Sequence, residues 1–282
     1  MRDFRQVDVF SSDALRGNPV AVVHDADGIT DDEMRAFARW TNLSETTFLL
    51  PPTSSEADYR LRIFTPGSEL PFAGHPTIGS AHAWLEAGGM PASADRIVQE
   101  CAAGPVTLRR SADSGERLAF AAPPLIRSGP VESADLTAVV AALGISVDDV
   151  VDAAWVDNGP GWMGLLLRDA EQVLSLRPDF AGLHEDVGVV GPRSGGDTAC
   201  EVRAFCPAGS GITEDPVTGS LNAGLAMWLA GTVLPASYVA AQGTAIGRAG
   251  RVHVERSTVD GSDTVWVGGD ASTVIHGEVS FP

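Results

Sequence analysis

The sequence predicts an α+β fold made of two related halves, and three observations support that prediction. A signature occurs twice, at residues 62–80 and at residues 203–220. Each copy has R-x-F-x-P, a Gly-rich loop, a His or Asp, and then P-x-x-G-S before an Ala-rich apolar stretch. Short apolar runs and period-two alternation, which are typical of β-strands, dominate the remainder of each half. We therefore expect each half to wrap several strands around the one long helix that follows its signature.

The first half is predicted to contain two helices among its strands. The first helix, residues 31–42, has Thr30 or Asp31 as its cap and acidic residues in its first turn. The second, residues 75–88, has Pro76 in its first turn and ends at a Gly-Gly pair. The β segments are predicted at residues 4–10, 19–23, 45–51, 58–66, 96–110 (a hairpin) and 116–124.

A change in composition at residues 121–135, where Pro, Gly and Ser accumulate, marks the predicted domain boundary. We expect a first half-domain at residues 1–122, completed by a last strand at about 272–282, and a second at residues 123–271. Asp135 is the expected cap of the first helix of the second half. The remaining helices are predicted at residues 136–144, 170–180 and 215–231, and the strands at 154–169 (with a turn), 186–192, 200–207, 251–257 and 263–281.

Composition excludes several classes of partner. The 282 residues carry a formal net charge of −18, and nucleic acids and anionic membranes bind basic proteins. No apolar run is long enough to span a membrane and no signal-type segment is present, so we expect a cytoplasmic protein. The histidines and the three cysteines lack metal-ligand spacing, so neither a metal nor a disulfide framework is expected. Cys206 is interpreted as a buried inert thiol or as a neighbour of the site.

The candidate site lies where small-residue loops enter the two long helices. His75 and Asp215 hold equivalent places about 140 residues apart, and histidine is a suitable general acid or base near neutral pH. The N–H groups of Thr218, Gly219 and Ser220 begin the second helix and could bind a carboxylate. Both His75 and Asp215 could instead be simple helix caps.

Glu45 is the third candidate, at the junction of the first predicted helix and the strand that follows it. From position alone it could equally be a surface carboxylate. Glu69 and Glu214 are further acidic candidates within the two signatures.

The motifs in this order resemble those of the phenazine-biosynthesis PhzF-like family. They are GNPVAVV, NLSETTF, RIFTPGSELPFAGHPTIGSA, LRPDF and RAFCPAGSGITEDPVTGSL. The resemblance implies a diaminopimelate-epimerase-like fold of two pseudosymmetric domains, each a β-barrel around a helix, and a homodimer that acts without cofactor or metal.

The resemblance also implies the chemistry of the site. Glu45 would shuttle a proton between two carbons of a small carboxylated substrate, as in the isomerisation of trans-2,3-dihydro-3-hydroxyanthranilate. His75 and Asp215 match the other two catalytic residues of the family. The substrate-binding residues would be Ser44, Gly74, Thr218, Gly219 and Ser220. Burial or Asp215 is expected to raise the pKa of Glu45.

Two other functions stay open at the level of sequence. A two-base amino-acid racemase or epimerase would use an acid and a base on opposite faces of the substrate. The related epimerases use paired cysteines, and the corresponding loops here contain none. A relative that binds a small molecule without turning it over would tolerate the loss of the Glu45 carboxylate.

Overall fold

The computed structural model describes residues 1–110, 117–208, 211–259 and 261–282. The chain forms two compact units. Unit 1 contains Met1–Ala121 and Gly268–Pro282, and unit 2 contains Ala122–Val267. Each unit is described by itself below, with elements numbered along the whole chain. None of the helices in the described ranges is long and apolar enough to cross a membrane.

Unit 1 combines a β-sheet with a largely buried helix that packs against its strands. Its helices are α1 (Asp31–Thr41) and α2 (Gly74–Glu86). Its strands are β1 (Arg2–Val9), β2 (Asn18–Val23), β3 (Glu45–Leu50), β4 (Tyr59–Phe64), β5 (Glu69–Leu70), β6 (Arg96–Cys101), β7 (Gly104–Arg110), β8 (Leu118–Ala121) and β18 (Ala271–Val279). Helix α2 packs against β1, β2, β3, β8 and β18. The expected strand-wrapped helix is therefore present in this unit.

The two helices of unit 1 begin and pack for different reasons. Thr30 caps α1 in a capping box with Glu33, which selects Thr30 from the two predicted caps. Helix α2 has mostly small residues facing the sheet. A Cβ on Gly79 would lie 2.4 Å from Val20 Cγ1, so only glycine permits α2 to approach β2 this closely.

Unit 2 repeats this plan. Its helices are α3 (Ser133–Leu143), α4 (Ala170–Ser175) and α5 (Gly219–Leu229). Its strands are β9 (Arg127–Pro130), β10 (Val150–Asp157), β11 (Met163–Leu167), β12 (Val187–Pro192), β13 (Cys200–Ala208), β14 (Gly211–Asp215), β15 (Ser237–Gln242), β16 (Gly250–Val259) and β17 (Ser262–Gly269). Helix α5 packs against β10 and β16. A Cβ on Gly224 would lie 2.2 Å from the Val156 carbonyl oxygen, so α5 also depends on a glycine.

The sequence repeat is a repeat of topology. In unit 1, β1–β2 is antiparallel, β2–β3 parallel, β3–β4 antiparallel, β4–β6 parallel and β6–β7 antiparallel. In unit 2, the pairs β10–β11, β11–β12, β12–β13, β13–β15 and β15–β16 follow the same sequence of directions. Strands β4 and β13 carry the R-x-F of the two signatures, and α2 and α5 follow them. This correspondence confirms that the signatures mark equivalent structural elements.

Three predicted helix boundaries were wrong. Helix α3 is capped by Glu132, and Asp135 lies in its first turn, where the helix dipole also favours a carboxylate. Helix α4 ends at Ser175 because Pro178 disfavours helical backbone at the residue before it. Helix α5 begins only at Gly219. Part of the second Gly-rich loop, residues 209–210, lies outside the described residues.

Candidate active site

Glu45 and His75 lie together in unit 1. Glu45 is the first residue of β3 and pairs with Val20 of β2, whereas His75 is the second residue of α2. The distance from Glu45 Oε2 to His75 Nε2 is 3.3 Å, and the two side chains are 15% and 5% exposed. A carboxylate and an imidazole therefore adjoin in a largely water-excluded place, the arrangement that general acid–base chemistry uses.

The first two residues of β2 hold the His75 ring at a second position. Asn18 Nδ2 lies 3.3 Å from His75 Nδ1, and a ring N–H donates to the carbonyl of Pro19. These contacts fix the ring so that Nε2 is the nitrogen next to Glu45.

The imidazole of His75 is neutral near pH 7. Burial lowers its pKa to about 3, against the opposing effect of the Pro19 carbonyl. The N-terminus of α2 disfavours a positive charge in the same place. A neutral ring can accept or donate a hydrogen bond, and it places no full charge of its own beside the Glu45 carboxyl group.

The predicted binding residues of unit 1 differ in exposure. Gly74 is the buried first residue of α2, and Ser44 is exposed in the turn before β3. No side chain caps α2, whose N-cap is Ala73. The alternative interpretation of His75 as a helix cap is therefore wrong, because His75 lies inside the first turn.

Asp215 and Thr218 lie together in unit 2. Asp215 ends β14 and is half-buried, so it is not the cap of α5, which is Thr218. The hydroxyl of Thr218 donates a short hydrogen bond to Asp215 Oδ2. The backbone N–H of Thr218 donates to Gln242 Oε1 at 3.1 Å, so it is already occupied within the protein.

Ser220 is held at two atoms by the loop between β10 and β11. Trp162 Nε1 donates to Ser220 Oγ at 3.0 Å, and Asn158 Nδ2 donates to the Ser220 carbonyl at 2.9 Å. An indole N–H can only donate, so the Ser220 hydroxyl accepts this bond and its own proton points elsewhere.

The first turn of α5 is suited to an anion. No side-chain hydrogen bond caps the helix, and its first turn has no acidic residue. The backbone N–H groups of Gly219 and Ser220 precede the first intrahelical bond, which runs from the N–H of Asn222 to the carbonyl of Thr218. Such N–H groups, with the positive end of the helix dipole, bind carboxylates.

The two further acidic candidates have structural partners. Arg62 donates to both carboxylate oxygens of Glu69, at 2.7 and 2.8 Å. Arg203 does the same to Glu214, at 3.0 and 2.7 Å. The arginine of its own signature binds each carboxylate at both oxygens, so Glu69 and Glu214 have structural roles.

Cys206 differs from the other two cysteines. Cys101 and Cys200 are buried, and Cys206 is half-buried; burial raises the pKa of Cys200 to about 12. Cys206 pairs with Thr213 across the β13–β14 hairpin, next to the pair of Ala204 and Asp215 on the same face. Of the two interpretations of Cys206, this position favours a neighbour of Asp215.

Sequence reasoning missed three residues that hold these groups: Asn18, Trp162 and Gln242. Asn18 and Asn158 occupy matching places in the two halves. Each contacts a residue in the first turn of the long helix of its unit, His75 and Ser220 respectively. Gln242 ends β15, a strand without a strong alternation pattern. In the part of the chain that the structure describes, no group of three or more His, Cys, Asp or Glu side chains could hold a metal ion.

Comparison with known proteins agrees with this architecture. The family model of the phenazine biosynthesis-like proteins, PhzC–PhzF, matches residues 7–277. Antisense-enhancing sequence 1 of Schizosaccharomyces pombe is 40% identical, over 98% of this chain and 97% of its own. Trans-2,3-dihydro-3-hydroxyanthranilate isomerase of Pseudomonas aeruginosa is 35% identical, over 82% of this chain and 80% of its own.

Solved structures give the same result for the fold. A PhzF-family protein of Enterococcus faecalis superposes with a TM-score of 0.79 at 26% identity and full coverage of both chains. A hydroxyproline epimerase of Agrobacterium vitis, at 18% identity, has a TM-score of 0.59 over 98% of this chain and 91% of its own. The predicted α+β, epimerase-like fold is confirmed.

The fold and the relatives define the class of protein as an isomerase. Within that class, the chain belongs to the phenazine biosynthesis-like, PhzC–PhzF family.

Proposed function

We propose that the protein is a cofactor-independent isomerase that moves a proton between two carbons of a small carboxylated substrate, with Glu45 as the acid and base. The observation that carries the proposal is the 3.3 Å approach of Glu45 Oε2 to His75 Nε2, with both side chains largely buried. The substrate type of the Pseudomonas aeruginosa relative, a dihydro-hydroxyanthranilate, is the first to test.

The environment of Glu45 suits a carrier of protons. One carboxylate serves two carbons only if both lie within its reach, so the substrate must be held and the carboxylate must stay in place. The strand position of Glu45 and the fixed ring of His75 supply that restraint on the protein side. His75, neutral near pH 7, would orient the carboxylate or share its proton.

Unit 2 would supply the anion site and the third catalytic residue. The N–H groups of Gly219 and Ser220 and the Ser220 hydroxyl would bind the substrate carboxylate. Asp215, held by the Thr218 hydroxyl, would bind a polar substituent of the substrate. Ser44 and Gly74 complete the proposed set. We also propose that the protein works as a homodimer in the cytoplasm.

The test is conversion of trans-2,3-dihydro-3-hydroxyanthranilate followed by NMR, with wild type and Glu45→Gln side by side. The proposal predicts conversion by wild type and at least a 1,000-fold loss in Glu45→Gln, since the amide cannot take up a proton. Glu69→Gln is the matched control, because it makes the same chemical change at a carboxylate of unit 1 that pairs with Arg62. Undiminished turnover by Glu45→Gln would contradict the assignment of Glu45.

A further inference from the structure

Gln242 is a fully buried side chain that makes four hydrogen bonds around the beginning of α5. Its Oε1 accepts from the backbone N–H of Thr218 at 3.1 Å and from Asn222 Nδ2 at 2.8 Å. Its Nε2 donates to the carbonyl of Asp215 at 3.3 Å and to Thr218 Oγ1 at 2.9 Å. Both ends of the turn from Asp215 to Thr218 are thus tied to one side chain.

These contacts fix which way the Gln242 amide faces. A flipped amide would place NH₂ against the two donors of Thr218 and Asn222, and oxygen against the carbonyl of Asp215. The orientation is therefore unique, and Nε2 must donate to the Thr218 hydroxyl.

The direction of the hydrogen bond from Gln242 to Thr218 determines the direction of the bond between Thr218 and Asp215. Since the Thr218 oxygen accepts from Gln242, its single proton is left for Asp215 Oδ2. The chain of bonds runs from the Gln242 amide through the Thr218 hydroxyl to the Asp215 carboxylate, and it holds that carboxylate in one orientation.

We propose that Gln242 is a positioning residue for catalysis: it aligns Asp215 and the N-terminus of α5 through Thr218, without itself touching the substrate. The proposal rests on the proposed function of Asp215, Gly219 and Ser220, and it adds the residue that determines their geometry.

Unit 1 offers a matched comparison. Gln99 is equally buried and lies on β6, the counterpart of β15. Its Nε2 donates to Thr77 Oγ1 at 3.0 Å and its Oε1 accepts from Tyr59 at 3.2 Å. Both of these bonds go to side chains and not to the backbone before α2, so Gln99→Leu controls for the loss of a buried amide as such.

The first experiment compares Gln242→Leu with Gln99→Leu at equal folded fraction. We expect kcat to fall about 30- to 100-fold in Gln242→Leu and by less than about threefold in Gln99→Leu. Hydrogen exchange of the Thr218 amide should accelerate at least 100-fold in Gln242→Leu alone. The exchange measurement needs no substrate, so it tests the positioning role of Gln242 even if the wild type does not turn over the compound. Failure of the wild type to turn over the compound would contradict the proposed function and not the positioning role.

The second variant, Gln242→Glu, separates positioning from folding. A protonated carboxyl group keeps the acceptor oxygen and one of the two donated hydrogen bonds of the amide, whereas a carboxylate would face the Asp215 carbonyl with an unprotonated oxygen. We expect kcat of this variant to be near that of wild type at low pH and to fall at least tenfold as pH rises, on a titration absent from wild type. Urea midpoints at the same pH values report folding.

The kcat values and urea midpoints together distinguish a positioning role from a purely structural one. A kcat that falls with pH while the midpoint stays well above the assay conditions supports the proposal. A kcat that follows only the folded fraction, or equal kcat losses in Gln242→Leu and Gln99→Leu, would overturn it.

Discussion

The guanidinium of Arg203 and the carboxylate of Glu214 form a bidentate ion pair, and both side chains are 5% exposed. Glu214 immediately precedes Asp215 on β14, so the pair fixes the hairpin that presents Asp215. Arg62 and Glu69 make the same pair in unit 1, with exposures of 22% and 31%. One signature arginine per unit therefore braces the segment that leads to each long helix.

Breaking this pair should cost far more stability in unit 2 than in unit 1. Glu214→Gln leaves a buried guanidinium without its counter-ion, for which we expect a loss of about 3–5 kcal/mol. Glu69→Gln is the matched control, and a loss of about 1 kcal/mol is expected because its pair is partly solvated. Urea unfolding of both variants at pH 7 measures the two losses; equal values would contradict the assignment of the buried brace.

His75 should make the protein less stable in acid. Its folded-state pKa of about 3 lies below the unfolded value of 6.5, so the unfolded chain binds the extra proton between these limits and stability falls as pH falls through that window. Its share between pH 7 and pH 5 is about 2 kcal/mol. His75→Gln should therefore lose about 2 kcal/mol less than wild type over this interval in urea unfolding. An unchanged pH dependence would show that His75 is not held neutral.

Asp186 should make the folded protein less stable as pH rises, which is the opposite of the effect of His75, over an overlapping pH range. Burial, with Glu185 and Asp157 nearby, raises its pKa to about 7. The folded protein therefore holds a proton that the unfolded chain has lost, and stability falls as pH rises from about 4 toward 7. We expect Asp186→Asn to gain on the order of 1 kcal/mol relative to wild type between pH 5 and pH 7, allowing for partial exposure. A constant difference between the two proteins across this range would refute the raised pKa.

Trp162→Phe should weaken substrate binding with little change in fold. The substitution removes the single N–H that donates to Ser220 Oγ, so the hydroxyl proton loses its direction. We expect KM to rise about three- to tenfold and stability to fall by about 1 kcal/mol. Trp155→Phe is the control, since its indole N–H donates to Glu132 instead. The same rise of KM in both variants would contradict the role given to Trp162.

Sequence alone predicted the repeat, the two long helices and most strands of the fold. The motifs R-x-F and P-x-x-G-S are local patterns that occur once in each half. The strands that carry R-x-F have corresponding pairings in the two units. Helix starts were less predictable because a preferred capping residue is only one way to begin a helix. Asp215 has the side chain of a cap, yet Pro216 and Val217 lie before the first turn.

The candidate site was only partly accessible from sequence. Glu45 and His75 are 30 residues apart in the chain, and their approach follows from the pairing of β2 with β3 and the packing of α2 on both. Gln242, Trp162 and Asn18 act through long-range hydrogen bonds, for which a sequence has no periodic signal. The ion pairs of Glu69 and Glu214 could not be predicted, because the register of β4–β5 and of β13–β14 places their partner arginines.

Isotope transfer shows whether one carboxylate carries the proton between the two carbons. A substrate deuterated at the carbon that loses its proton is converted in H₂O under single-turnover conditions, and the product is analysed by NMR. We expect deuterium at the accepting carbon in wild type, because the largely buried Glu45 carboxyl group returns part of the label before it exchanges with water. Product that carries only protium at that carbon, together with full turnover by Glu45→Gln, would contradict this expectation.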